Sequence, residues 1–198
     1  MLKKAFTLEQ MGEYESAIVA LTSAASLVGD RSEPRFLCVL KFNLAVNLCH
    51  LGRYQQAGTL IPEIRNLATR LGNDLDLVRL LWLEGRIAAA SGKRQEAIAA
   101  MEHVRREFVS RSLAYDMALV SLELAVFYLE DSRAGEVRVF ARQMAPIFQS
   151  QGVHRETLAA IRLFCESAEK EMVTVDLARR LSEYLRRARY EPGLKFQL

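Results

Sequence analysis

Apolar residues recur at helical spacing along most of the chain, in pairs of segments separated by a turn. Leu40, Leu44 and Leu48 are spaced by four residues before Gly52, and a second apolar-periodic segment begins at Tyr54. Such spacing places apolar side chains on one face of a helix, so both segments are predicted to be amphipathic helices. The glycine between them can adopt the left-handed conformation that ends a helix, because it has no Cβ atom.

This two-helix pattern repeats with a period of 40 residues. The turns read Gly12-Glu-Tyr14-Glu-Ser-Ala17, Gly52-Arg-Tyr54-Gln-Gln-Ala57 and Gly92-Lys-Arg94-Gln-Glu-Ala97, with a drifted fourth copy at Ser132-Arg-Ala134-Gly-Glu-Val137. Seven residues before each turn position lies a small residue: Ala5, Ala45, Gly85, Ala125 and, in a weaker fifth copy, Cys165. A small side chain lets the facing helix approach closely. Self-similarity at this period is typical of solenoids built from stacked units.

The pattern predicts an all-α fold, a right-handed solenoid of about five antiparallel helical hairpins with no β-strand. The predicted helices span 1–11, 14–28, 34–51, 54–71, 74–91, 94–109, 113–131, 134–150, 154–171 and 174–189. They form a single repeat domain, 1–198, with units of about 1–30, 31–72, 73–111, 112–152 and 153–190 and a tail of 191–198. Turn signals at Gly29-Asp30, Gly72-Asn73 and Gly152 separate the units, and Pro62 predicts a bend in its helix.

These residues resemble the repeats of the tetratricopeptide repeat family. The second unit carries the resemblance best, at Asn43-Leu44-Ala45, Leu48, Leu51-Gly52, Tyr54 and Ala57. The usual unit of that family has about 34 residues, so a period of 40 implies longer helices, as in the arrays of bacterial regulatory and signalling proteins. An array of HEAT type is the alternative, because its unit length fits better, but the Gly-x-Tyr-x-x-Ala signature argues against it.

The composition argues against some classes of function but does not identify one. Hydrophobic residues make up 51% of the chain, with only 10 Gly and 4 Pro, as expected for a continuously ordered helical protein. Lys and Arg number 27 against 24 Asp and Glu, an excess too small to indicate a nucleic-acid partner. The longest uncharged stretch, 16–29, is too short to cross a bilayer, and no signal peptide is predicted. Three cysteines without a C-x-x-C pair indicate buried thiols in a reducing cytoplasm.

The chain carries no recognisable catalytic or metal-binding motif, so the sequence predicts no enzyme, no cofactor and no metal site. Its three histidines lie in different units, without a carboxylate or cysteine at ligand spacing. Glu166, Glu169 and Glu171 lie near one another, but they are predicted to form a solvated face with Lys170.

The last predicted helix is strongly basic. Its arginines are Arg179, Arg180, Arg186, Arg187 and Arg189, and its apolar stripe is Leu177, Leu181, Tyr184, Leu185 and Ala188. Terminal repeats need a polar outer face, so a capping helix is the favoured interpretation. A surface for an anionic partner is the alternative.

In arrays of the resembled family, the first helix of each hairpin lines a concave groove. The resemblance therefore implies a peptide or ligand groove formed by Phe42, Asn43, Val46, His50, Arg79, Trp82, Arg86, Leu122 and Val126, with Phe6, Val39 and Leu119 beside them. Arg79, Trp82 and Arg86 are spaced i, i+3 and i+7, which places them in one stripe. A tryptophan between two arginines suits an acidic or aromatic peptide. The alternatives are that these side chains pack internally or that the tail, from Tyr190 onward, covers them.

The expected function is a non-catalytic, cytoplasmic scaffold that binds a protein or peptide segment in this groove, within a bacterial regulatory or signalling protein. A small-ligand sensor domain that controls an attached output domain is one alternative, and a structural oligomerisation module is another. The first helix is short, so the chain is interpreted as part of a longer protein. Leu2 and Phe6 would then form an end through which two copies can dimerise. A membrane or nucleic-acid partner is not expected.

Overall fold

The structure, a computed structural model, describes residues 2–28, 33–191 and 193–197. These residues form ten α-helices and no β-strand: α1 Leu2–Gln10, α2 Tyr14–Val28, α3 Pro34–His50, α4 Tyr54–Leu71, α5 Asp74–Ala90, α6 Arg94–Ser110, α7 Ala114–Glu130, α8 Ala134–Ser150, α9 Arg155–Glu169 and α10 Val175–Ala188. Every predicted helix is present, and its ends lie within about two residues of those predicted. The all-α prediction is confirmed.

The chain divides into two compact units, Met1–Ala100 and Met101–Leu198. In the first unit each helix from α1 to α4 packs against the next one along the chain, and α3 also contacts α5. Consecutive packing of this kind is what stacked helical hairpins require, so the prediction of a helical-repeat fold is confirmed. The boundary between the two units falls inside α6. The five-unit division therefore stays a prediction.

The small residues of the repeat lie where helices meet. Ala5, Ala45 and Ala125 are fully buried, and Gly85 is buried in α5. Cys165, in the fifth copy, is half-buried. A larger side chain at the buried positions would have to displace the facing helix, because protein interiors are close-packed.

The turns between paired helices adopt the predicted left-handed conformation. Gly52 has φ +72°, and the N–H of Arg53 donates to the carbonyl of Leu48 at 2.8 Å, which caps the end of α3. Ser132 takes the same role in the drifted fourth copy, with φ +58°. In the fifth copy the left-handed residue is Glu171, one position earlier than the sequence register predicts.

Three other sequence signals have mixed outcomes. Gly72 is left-handed, and the side chain of Asn73 accepts a hydrogen bond from the N–H of Leu75, so the turn before α5 is confirmed. The predicted turn at Gly29-Asp30 lies outside the described residues. Pro62 lies inside α4, which is one helix by its residue range, and the bend stays a prediction.

The last helix departs from the regular arrangement. In the second unit α7 packs on α8 and α8 packs on α9, as in a regular array. The main partner of α10, however, is α7, and its contact with the preceding helix α9 is much smaller. The pair formed by α9 and α10 is therefore not a regular hairpin.

Candidate binding surfaces

Seven of the nine predicted groove residues lie in the first unit, on α3 and α5. We call this surface the α3–α5 face: Phe42, Asn43, Val46, His50, Arg79, Trp82 and Arg86. All seven side chains are half-buried, so none is enclosed in the core and none is fully exposed. Because these side chains are partly exposed, a ligand can contact them.

The α5 side of this face combines an aromatic ring with positive charge. The guanidinium carbon of Arg86 lies 4.5 Å from the centroid of the Trp82 ring, a distance typical of a cation–π contact. The two residues are four positions apart, so one helical turn brings them together. Arg79 lies on the same stripe of α5, three residues before Trp82. Each of the three takes part in further intramolecular interactions.

The α3 side of this face is held by contacts with the core and with α2. Phe42 and Val46 pack against the buried core of the first unit. His50 stacks on Tyr14 of α2, with ring centroids 4.5 Å apart and planes 10° from parallel. These contacts hold the α3 side chains in fixed positions, which lowers the entropy lost when a ligand binds.

A buried asparagine ties α1 to α3 near this surface. The amide nitrogen of Asn47 donates to the carboxylate of Glu9 and to the backbone carbonyl of Asn43, each at 2.8 Å. Asn47 is fully buried, and its Oδ1 atom has no hydrogen-bond partner among the described residues. The carbonyl of Asn43 is thus already engaged, so the side-chain amide of Asn43 is the group that it can offer to a ligand.

The other two predicted groove residues, Leu122 and Val126, lie on α7 in the second unit. Val126 is half-buried, but Leu122 is only 1% exposed, so its prediction as a ligand-contacting residue is wrong for this conformation. The neighbouring Leu119 is also buried. The physical reason is that α7 packs against both α8 and α10, which leaves little of its surface open.

Ion pairs join α10 to α7 in antiparallel order. Arg179 pairs with Glu130 at 3.3 Å, Arg186 with Glu123 at 3.3 Å and Arg189 with Asp116 at 2.7 Å. Between these pairs the apolar stripe of α10 is buried, at Ala178, Leu181, Tyr184, Leu185 and Ala188. The acidic residues of α7 were missed in the sequence. Their seven-residue spacing, which matches that of Arg179 and Arg186, is the signal that could have revealed them.

The other arginines of α10 also have partners within the chain. Arg180 donates to the backbone carbonyl of Gln197 at 2.6 Å, and Arg187 pairs with Glu191 at 3.1 Å. All five arginines of the basic helix therefore have an intramolecular partner. The alternative of a surface for an anionic partner loses its support.

The tail folds onto α10. The hydroxyl of Tyr184 donates to the carbonyl of Leu194 at 2.9 Å, and the rings of Tyr184 and Phe196 meet edge to face at 5.3 Å. Burial raises the pKa of Tyr184, which keeps its hydroxyl protonated and able to donate. The described tail residues thus make further contacts with α10, the helix that packs on α7.

The acidic cluster predicted to be solvated is in part bound to α8. Glu169 pairs with Arg142 at 2.5 Å, and Glu171 pairs with Arg138 at 3.2 Å. The hydrogen bond from Arg142 lowers the pKa of Glu169. These carboxylates remain exposed, but they serve to join α8 to the end of α9.

The thiols of Cys165 and Cys38 are poorly suited to nucleophilic chemistry. Burial raises the pKa of Cys165 to about 11, and its thiol donates to the carbonyl of Ala141 at 3.0 Å. Burial also raises the pKa of Cys38. A thiol with a raised pKa holds very little thiolate at neutral pH, and the thiolate is the reactive form. Among the described residues, no cluster of three or more His, Cys, Asp or Glu is placed to hold a metal ion.

Paired helices, left-handed turns and small buried contact residues together define a helical-repeat protein. A family model described as tetratricopeptide repeat matches residues 36–106, which contain nearly all of α3, all of α4 and α5, and most of α6. The match supports the predicted assignment of this segment to the tetratricopeptide repeat family. Repeats of this family generally mediate protein–protein interactions and are typically non-catalytic. No curated protein and no solved structure matches the chain. No helix of the described residues is both long and apolar enough to span a membrane.

Proposed function

We propose that this chain is a non-catalytic scaffold that binds a segment of another protein on the α3–α5 face. Both helices of that face lie within the matched repeats, apart from the first residues of α3. The observation that carries the proposal is the partly exposed Trp82 ring with Arg86 beside it. Tryptophan and arginine are among the residues most enriched at the energetic centres of protein interfaces.

The chemistry of the face favours an acidic or aromatic segment as the ligand. A guanidinium group binds a carboxylate through two parallel hydrogen bonds, so Arg79 and Arg86 suit aspartate or glutamate side chains. Ligand carboxylates would join or replace the contacts that these arginines already make. Phe42 and Trp82 add aromatic area that loses little entropy on binding.

Two further parts of the proposal concern the cellular setting and the oligomeric state. The setting, a bacterial regulatory or signalling protein of the cytoplasm, follows from the resemblance of the long repeats alone. A homodimer through α1 is supported by Phe6, which is 45% exposed, and by the more exposed Met11. Light scattering of the full chain and of a Phe6→Glu variant tests the dimer, which the substitution should disrupt.

A small-ligand site lacks comparable support on this face. A shallow depression of about 340 Å³ lies between α4, α5 and the start of α6, lined by Gly58, Ile61, Pro62, Glu84, Ile87, Ala88, Ser91, Lys93 and Glu96. None of these residues belongs to the α3–α5 face. The protein-binding proposal is therefore the one that the face supports best.

The proposal is tested with peptides selected on the immobilised full chain from a displayed random library. The affinity of a selected peptide is then measured for the wild-type chain and for Arg79→Glu plus Arg86→Glu. We expect the double reversal to weaken binding by at least about tenfold, because attraction becomes repulsion across the interface. The matched control is Arg70→Glu plus Arg106→Glu, two exposed arginines outside the face with the same change of net charge. Equal affinity for the two double variants would contradict the proposal.

A further inference from the structure

The helix α10 is held on α7 in the manner of a bound ligand. In a regular hairpin its main contact would be α9, the helix directly before it, but it packs much more extensively on α7. Its apolar stripe is buried, whereas Glu183 and Arg187 on its other side are exposed. An amphipathic helix that lays its apolar side on another helical surface is a common mode of peptide recognition.

The charges across this contact are sorted by helix. Among the three α7–α10 ion pairs described above, every acid belongs to α7 and every base to α10. Arg179 and Arg186 are seven residues apart, as are Glu130 and Glu123, so two helical turns separate these two pairs on both helices. Charge sorting of this kind fixes the register and direction of a helix on its site.

We propose that this side of α7, which we call the α7 face (Asp116, Leu119, Glu123, Val126 and Glu130), is a binding site for a basic amphipathic helix of another protein. The C-terminal helix α10 is its internal occupant, and the partner helix binds by displacing it. The inference uses other residues and the opposite charge from those of the α3–α5 face. It therefore stands or falls separately from the function proposed above.

The contact of α10 with α7 contains a polar group without a partner, so a helix that fits better can displace α10. Ser182 lies on the buried side of α10, and its hydroxyl has no hydrogen-bond partner among the described residues. A buried hydroxyl without a partner weakens the contact that contains it. Apart from the side chain of Ser182, the stripe is apolar or aromatic. A partner helix with alanine at that position would bind without this penalty.

The hinge for displacement lies between α9 and α10. Residues 170–174 join the two helices, and Glu171 there has φ +57°, a conformation that is unfavourable for a residue with a Cβ atom. The direct contact between α9 and α10 is small, so α10 can leave α7 without disrupting the packing of α8 on α9.

The test uses a fluorescent peptide with the sequence of residues 174–191 and measures its binding to the full chain by anisotropy. In the wild-type chain α10 occupies the site, so the peptide binds weakly. In a chain with Arg179→Glu plus Arg186→Glu, the internal helix is repelled by Glu130 and Glu123. The peptide should then bind at least about tenfold more tightly, because apparent affinity scales with the fraction of open sites.

Two controls define the site. A chain with Arg155→Glu plus Arg162→Glu, two exposed arginines of α9, has the same net charge and should bind the peptide as weakly as wild type. A peptide that itself carries Arg179→Glu and Arg186→Glu should bind neither chain. Equal binding of the unaltered peptide to the wild-type, α9-variant and α10-variant chains would overturn the inference. So would a folded α10 variant that fails to bind it.

Deuterium exchange of the wild-type chain provides a second test if the α10 variant does not fold. The amides of α10 should exchange at least about tenfold faster than those of α7, because α10 opens without unfolding of the whole unit. Ser182→Ala should slow that exchange. Equal protection of α10 and α7 would mean that α10 is a fixed part of the fold, and the inference would be wrong.

Discussion

Two glycines six residues apart should respond to alanine with opposite signs. Gly58 lies inside α4, and its φ is not positive. A Cβ atom added there would meet Cγ2 of Ile87 at 4.0 Å, which is ordinary van der Waals contact. Alanine is favoured over glycine in a helix interior by about 0.8–1 kcal/mol. Since the added methyl group meets no closer side chain, Gly58→Ala should raise the free energy of unfolding by about 0.5–1 kcal/mol.

Gly52 provides the matched case. A Cβ atom there would meet no atom within 4 Å, so space is not limiting. Its φ of +72° is the obstacle, because a left-handed backbone is less favourable for an L-residue by roughly 1–2 kcal/mol. Gly52→Ala should therefore lower the free energy of unfolding by about 1 kcal/mol.

Urea unfolding followed by far-ultraviolet circular dichroism measures both variants against the wild-type chain. The predicted result is a higher midpoint for Gly58→Ala and a lower one for Gly52→Ala, with a common dependence on urea. A destabilised Gly58→Ala would mean that α4 and Ile87 are closer than described. An unchanged Gly52→Ala would mean that the turn after α3 is not left-handed, which would refute the repeat register.

Three other changes test separate parts of the fold. Phe164 is fully buried, so Phe164→Ala should destabilise the chain by about 3–5 kcal/mol in a urea titration, whereas the exposed Val139→Ala should change it by less than about 0.5 kcal/mol. Similar effects of the two would contradict the described core. The pKa of Cys165 is raised from 9.0 to about 11 in the folded chain, so its protonated thiol favours folding below about pH 9, and this contribution is lost as pH rises through 11. The stability of wild type relative to Cys165→Ala should therefore fall over that range, and a constant difference would refute the assignment. Leu181→Ala, which removes a buried side chain of α10, should destabilise by about 2–5 kcal/mol, and a change below about 0.5 kcal/mol would show that α10 is not docked as described.

The helices were predictable because their signals are local. Apolar spacing, Gly52 and the other turn residues act within a few positions, so both ends of α4 match the prediction. The fifth turn was the exception. Without a glycine to mark it, the register predicted Met172, whereas Glu171 takes the left-handed conformation.

The placement of α10 could not be predicted from the repeat. It depends on pairs distant in sequence, such as Arg186 with Glu123 and Arg189 with Asp116, which are 63 and 73 residues apart. Helical periodicity shows which side of α10 is apolar, but it does not show which helix that side covers. The burial of Leu122 follows from the same long-range packing around α7, so the sequence could not reveal it.

The α3–α5 face was accessible to sequence reasoning in part. Helical spacing alone places Arg79, Trp82 and Arg86 in one stripe. The degree of burial of these side chains depends on neighbouring helices. The stacking of His50 on Tyr14 likewise joins the end of α3 to the start of α2, which are distant in the sequence. Spacing therefore identifies candidates, and packing decides which of them a ligand can reach.

The most direct test of the proposed function uses Trp82, because it is the only tryptophan of the chain and its fluorescence reports on the α3–α5 face alone. Acrylamide quenching is measured for the full chain without and with a saturating concentration of a peptide selected as described above. Our account predicts that the bound peptide shields Trp82, lowers the quenching constant and shifts the emission to shorter wavelength. A peptide that binds by anisotropy but leaves the quenching of Trp82 unchanged would contradict it.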